Sequence, residues 1–211
     1  MAYDLEEQEQ LASLKAWWKD NGTLVIVTAA AAALAFAGWQ GWQVWRDGQV
    51  RQAATAYETL VKALAAGDAK AVRDSSGTLA ESHPKTLYAS MAALATARFH
   101  VEHGDLRSAK AQLQWVLDRS PSDELRELAR LRLAGVLLDE KGYDEALGLL
   151  GAQHSPALAG QYAALRGDVL VAQKRIEDAR AAYRLALEKS DPQRHTAFRE
   201  TVQIRLDALG G

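Results

Sequence analysis

The groups in this 211-residue chain that could do acid–base or metal chemistry are five histidines and 27 acidic residues. His100 and His103 stand three apart with Glu102 between them, so a helix would turn both imidazoles to one side. Zinc takes three or four protein ligands, and no further ligand stands at a recognisable spacing. At the end of a helix, imidazoles instead meet free carbonyls and the negative end of the dipole, and capping is the expected role. His83, His154 and His195 lie beside turn signals. The acid pairs Asp123-Glu124, Asp139-Glu140, Asp144-Glu145 and Glu177-Asp178 fall at expected helix ends, and the first, third and fourth begin helices. A glycosidase pair would need depth and tuning that nothing in the pattern supplies. Phosphate loops, nucleophile elbows and His-Glu zinc motifs are absent. The chain has no cysteine, which excludes a disulfide scaffold, a thiol nucleophile and a cysteine–zinc site. Arg126, Arg130, Arg132, Arg180 and Arg184 read as solvated faces. The expectation is a protein without catalysis, cofactor or metal.

The elements that carry these residues follow from composition. With 15 Gly and 4 Pro against abundant alanine, the chain reads as all-α. Its 25 basic and 27 acidic residues give a net charge of −2, which provides no basic field for nucleic acid. The charges divide into three zones. Residues 1–22 carry Asp4, Glu6, Glu7, Glu9 and Asp20 against Lys15 and Lys19, a net of −3. No charge occurs between Asp20 and Arg46, and the remainder is nearly balanced. The expected domains are an acidic tail over 1–22, a transmembrane helix over 23–45 and a repeat domain over 46–211.

Thr23–Trp45 would reach about 34 Å as a helix at 1.5 Å per residue, against a hydrocarbon core of about 30 Å. Its seven Leu, Val, Ile and Phe residues contribute about −2 to −4 kcal/mol to insertion, with no charge opposing them. Trp17 and Trp18 precede the run, and Trp39, Trp42 and Trp45 close it. Indole rings prefer the headgroup level, so these five are expected membrane-interface anchors. A signal peptide cut after Ala35-Phe36-Ala37 is the competing reading. The long acidic stretch before the run and the apolar residues beyond the cut oppose it. Lys15 and Lys19 on one side, and Arg46, Arg51 and Lys62 on the other, leave orientation open. Ala29, Ala33, Ala37 and Gly41 repeat every four residues, a face on which another helix could dock.

Beyond the run, a degenerate repeat emerges. Gly67-Asp68 and Gly104-Asp105 stand 37 apart, each followed 17 residues later by a proline, Pro84 or Pro121. Ala109, Ala146 and Ala179 each follow a turn and open a second helix, where a small residue lets paired helices pack closely. First helices are expected at about Lys85–His103, Ser122–Lys141 and Pro156–Lys174, with Ala134 and Gly167 at their small-residue positions. Arg51–Ala65 and Lys70–Ser82 read as an atypical first hairpin, and Thr196–Leu209 as a closing helix. The pattern resembles the tetratricopeptide repeat, a helical-hairpin solenoid.

The chain as a whole resembles the bacterial YfgM-type family of ancillary Sec translocon subunits. The resemblance rests on Trp17-Trp18-Lys19-Asp20-Asn21-Gly22, Gly38-Trp39-Gln40-Gly41-Trp42-Gln43-Val44-Trp45, Ala56-Tyr57, Leu131-Arg132-Leu133-Ala134, Leu165-Arg166-Gly167, Ala179-Arg180-Ala181 and Val202-Gln203-Ile204-Arg205-Leu206. It implies a single inner-membrane span with the tail cytoplasmic and the repeats periplasmic. It also implies association with the Sec translocon, with a PpiD-type periplasmic prolyl isomerase and with exported polypeptides passed on to chaperones. A stress-signalling role for the tail is a further implication.

Overall fold

The computed structural model describes residues 2–210, with side chains from residue 9. The described residues are helical and contain no strand: α1 (Ala2–Ala66), α2 (Ala69–Ser82), α3 (Leu87–Glu102), α4 (Leu106–Arg119), α5 (Asp123–Asp139), α6 (Tyr143–Leu150), α7 (Ala159–Ala172), α8 (Ile176–Lys189) and α9 (Thr196–Asp207). The contacts fall into two units, 1–49 and 50–211. The span and the stretch Arg51–Ala65 belong to one helix rather than two. Between Trp45 and Arg51 the sequence offers only Gly48 as a breaker, and a lone glycine costs about 1 kcal/mol without stopping a helix.

Among the described residues, one helix is long and apolar enough to cross a membrane. Leu24, Ile26, Leu34 and Phe36 are all exposed, Leu34 at 75%. Two polar groups, one before and one within the run, turn back on their own helix: the Thr28 hydroxyl donates to Leu24 O at 2.8 Å and Asn21 Nδ2 to Trp17 O at 3.1 Å. In hydrocarbon, polar groups must be satisfied in this internal way.

The second unit is a stack of hairpins: the end of α1 with α2, then α3 with α4, α5 with α6 and α7 with α8, closed by α9. One backbone device makes the turn inside each of the four hairpins. Gly67, Gly104, Lys141 and Lys174 have φ of 66°, 74°, 65° and 62°. The next amide in each turn donates to the carbonyl five residues back: Asp68 to Ala63, Asp105 to His100, Gly142 to Leu137 and Arg175 to Leu170, at 3.1, 2.8, 2.8 and 2.9 Å. The left-handed residue itself donates three back in all four turns. This is the Schellman arrangement, which satisfies the free carbonyls at a helix end. In the first two hairpins the following aspartate also caps the second helix, Asp68 accepting from Lys70 and Ala71 and Asp105 from Ser108. The third and fourth turns carry lysine where glycine is easiest.

Twelve residues after a small first-helix residue comes the buried second-helix alanine: Ala97 with Ala109, Ala134 with Ala146, Gly167 with Ala179. Ala109, Ala134, Ala146 and Ala179 have no exposed surface, and Ala97 has 1%. Ala97 completes the series that Ala134 and Gly167 begin. The first helices start later and end sooner than the apolar spacing suggests. Thr86 and Ser122 stand outside them as N-caps, and each left-handed turn ends its helix. Helix α6 has only eight residues. The segment after it is tied down instead, with Ser155 N donating to Glu127 at 3.0 Å and the His154 ring stacked 4.3 Å from Tyr162.

At the closing end, the Tyr183 hydroxyl donates to Asp168 at 2.8 Å, and Arg205 of α9 donates to both oxygens of the same carboxylate at 2.8 and 2.6 Å. Burial, and then the neighbouring carboxylate, push the Tyr183 pKa well above its usual value.

Candidate protein-binding groove

The hairpin register also sets which residues face the open side of the stack. Relative to the buried alanines, Glu102 and Asp139 stand seven residues earlier, and Val101 and Leu138 eight earlier. Arg98 and Gly135 stand eleven earlier, and Arg132 and Leu165 fourteen earlier. Equivalent positions on α3, α5 and α7 therefore converge. They line a groove of about 450 Å³ together with Ala97, Leu113 and Val136. Val101, Leu138 and Leu165 make its walls apolar, and four charged side chains break them. A second depression, of about 270 Å³, adjoins it through Arg98 and Glu102 and reaches Leu64 and Ala95.

Arg98 and Glu102 neutralise each other at 2.7 Å. Arg132 instead donates to the Leu94 carbonyl at 3.3 Å and has no carboxylate partner among the described residues. Partial desolvation, and then the neighbouring Arg98 charge, lower its pKa, although arginine stays protonated in water. Asp139 closes α5, where the helix dipole disfavours an acid. Its neighbour Glu140 is paired with Lys110 at 2.5 Å. Asp139 has no such pair among the described residues. In the middle of α5, Gly135 has nothing within 4 Å of where a Cβ would sit. It contributes openness rather than close packing.

Other residues with chemical potential have structural surroundings. His103 Nδ1 donates to Phe99 O at 2.7 Å, at the end of α3. His100 Nδ1 lies 3.5 Å from Asp105. Burial lowers the His100 pKa, against the pull of that carboxylate. No cluster of three potential metal ligands occurs among the described residues. Asp123-Glu124, Asp144-Glu145 and Glu177-Asp178 occupy the first turns of α5, α6 and α8. Most of the arginines read as solvated faces are engaged. Arg126 bonds Ser120 O, Arg130 bonds Gln153 O, Arg132 bonds Leu94 O and Arg180 bonds Leu209 O, while Arg184 is exposed. These are helix-end and inter-helix fasteners that helical spacing alone does not reveal, because their acceptors are distant carbonyls.

In the first unit, Ala29, Ala33, Ala37 and Gly41 are exposed. A Cβ at Gly41 would meet nothing within 4 Å. Trp17 and Trp18 are half exposed with ring centroids 6.4 Å apart, and the Trp18 indole lies over Gly22. Trp39, Trp42 and Trp45 are likewise exposed, and the Arg46 guanidinium sits 5.1 Å above the Trp42 ring. A cation held at an indole suits a boundary between headgroups and hydrocarbon.

Residues 15–211 match a family described as a tetratricopeptide repeat-like domain. A protein of Neisseria gonorrhoeae called an ancillary SecYEG translocon subunit is 32% identical over 99% of this chain and 100% of its own length. Proteins of the same description are 32% identical in Haemophilus influenzae, over 82% of this chain and 84% of that one, and 29% identical in Escherichia coli, over 96% of each. No solved structure matches. Sequence similarity over nearly the whole chain, an apolar helix and a tetratricopeptide-like stack agree, and the chain belongs to the family of ancillary SecYEG translocon subunits.

Proposed function

We propose that this protein is a membrane-anchored adaptor without enzymatic activity, associated with the Sec translocon of the bacterial inner membrane. Residues 23–45 cross the membrane once, residues 1–22 remain cytoplasmic, and residues 46–211 stand in the periplasm. The span keeps the repeats beside the channel and raises their effective concentration near emerging chains, so that weak binding suffices. The Ala29, Ala33, Ala37 and Gly41 face docks a helix of the translocon. The repeats engage a PpiD-type prolyl isomerase and exported polypeptides, which pass on to periplasmic chaperones. The observation that carries this reading is the apolar, charge-edged groove on the first helices of a chain whose relatives bear the translocon subunit name. Extended solenoid surfaces of this kind suit peptides and partner domains better than small reactants.

Site-specific crosslinking in native membranes tests it. Probes in the span should capture translocon subunits, and probes at Arg132 and Arg166 should capture the isomerase or exported chains. A reporter fused after Gly211 should be active only if it requires the periplasm. If neither probe set captures any of these, the adaptor reading falls.

A further inference from the structure

The groove holds two charges that the fold leaves unanswered. Arg132 and Asp139 stand seven residues apart on α5, which separates them by about 10 Å along the helix axis. Arg132 spends its guanidinium on a single carbonyl at 3.3 Å, although it can offer five donors in a planar fork. Asp139 stands at the end of α5 where the dipole opposes it, so its charge gains nothing from its own helix. Between the two, Gly135 leaves open space at a mid-helix position where alanine would stabilise the helix. Val101, Leu138 and Leu165 supply apolar walls. The neighbouring depression continues past Arg98 and Glu102, which leaves a path for a chain to run through.

We propose that the groove binds an internal segment of another polypeptide that presents a carboxylate side chain to Arg132, a cationic side chain to Asp139 and apolar side chains between them. This rests on the protein-binding reading above and gives it a selectivity. The charge spacing sets the register. In a polyproline II conformation, residues three apart lie on one face about 9 Å apart, close to the Arg132–Asp139 interval. The absence of side-chain atoms at Gly135 lets the bound backbone lie close to α5.

The test uses the full chain in nanodiscs and four fluorescent peptides, the first three capped at both ends. The first carries Glu-Leu-Val-Lys within an alanine and valine frame, the second has Gln at both charged positions, and the third exchanges Glu and Lys. The fourth resembles the second but ends in a free carboxylate. The first should bind about tenfold more tightly than the second and third. Arg132→Gln should abolish that preference, so that the first peptide binds no more tightly than the second. Asp139→Asn should reduce it, and Gly135→Leu should prevent binding of all four. Equal binding of the first two peptides, blocked by Gly135→Leu, would overturn the charge-reading inference and leave the adaptor function standing. Preference for the free carboxylate would overturn it in favour of terminal recognition. Binding of no peptide would also overturn it, and the membrane crosslinking would decide the adaptor reading separately.

Discussion

Two glycine-to-alanine substitutions at neighbouring register positions should move stability in opposite directions. Both Gly167 and Gly135 lie in helix interiors, where alanine is worth about 0.5–1 kcal/mol over glycine. At Gly135 a Cβ meets nothing within 4 Å, so Gly135→Ala should keep that gain. At Gly167 a Cβ would fall within 3.0 Å of three Tyr183 ring atoms. That ring cannot swing away freely, because its hydroxyl is bound to Asp168 at 2.8 Å and Asp168 is held by Arg205. Overpacking costs about 1–3 kcal/mol. Loss of the tyrosine hydrogen bond would add about 1 kcal/mol. The net expectation for Gly167→Ala is a loss of about 1–3 kcal/mol after the helical gain is subtracted. For a domain of this size that lowers the melting temperature by roughly 2–12 °C, whereas Gly135→Ala raises it by roughly 1–4 °C. Thermal unfolding of the full chain in nanodiscs, followed by circular dichroism at the helix band, reads both. Adding Tyr183→Ala to Gly167→Ala should cost less than the two single changes summed, since each relieves the other. If Gly167→Ala stabilised the protein as Gly135→Ala does, the close approach of α7 and α8 would be refuted.

Lys141→Gly and Lys174→Gly should each raise stability by about 0.5–1 kcal/mol in urea unfolding, because both lysines occupy left-handed backbone. Thr96→Val should stabilise by about 1 kcal/mol, since the fully buried Thr96 hydroxyl has no hydrogen-bond partner. A melting temperature unchanged or lowered would mean that this hydroxyl has a partner. Acid should destabilise the repeats progressively. Ser108 holds the Asp105 carboxyl below its usual pKa, Ser155 does the same for Glu127, and the amides of Arg194 and Gln193 do so for Asp191. A depressed carboxylate contributes stability above its unfolded pKa of about 4 and loses it as pH falls through the folded value. The lowered pKa of His100 acts in the same direction from about pH 6.5 downward. Melting temperatures measured from neutral to acidic pH should therefore fall, and Glu127→Gln should flatten the acidic limb.

Much of the architecture is legible in the chain because two physical signals are strong and local. An uncharged run bounded by tryptophans needs no tertiary context, and neither does an alanine that follows a Gly-Asp turn. The rest depends on geometry that residue type disguises. Lys141 and Lys174 take the backbone conformation of Gly67 and Gly104, yet nothing in a lysine announces a left-handed turn. Only their constant place five residues before Ala146 and Ala179 could have shown it. Ala97 was hidden among the alanines of α3, although its offset of twelve from Ala109 matches the other hairpins. Arg180 and Arg126 look like solvent charges because their acceptors, Leu209 O and Ser120 O, are backbone atoms that no composition pattern reveals. The groove was the least visible, since it joins residues from three hairpins and each alone looks ordinary.

The twelve-residue register separates inheritance of fold from inheritance of preference. Ala97 and Ala134 are committed to packing, while the next residues, Arg98 and Gly135, face the groove. A lineage could therefore change the chemistry of the groove's lining by single substitutions, without searching again for a foldable hairpin. The same step in the third repeat lands on Asp168, already shared by Tyr183 and Arg205. That position is withdrawn from such experimentation. Substitutions that reshape the groove should concentrate on α3 and α5, while the end closed by α9 changes slowly and preserves the frame on which the variable surface is displayed.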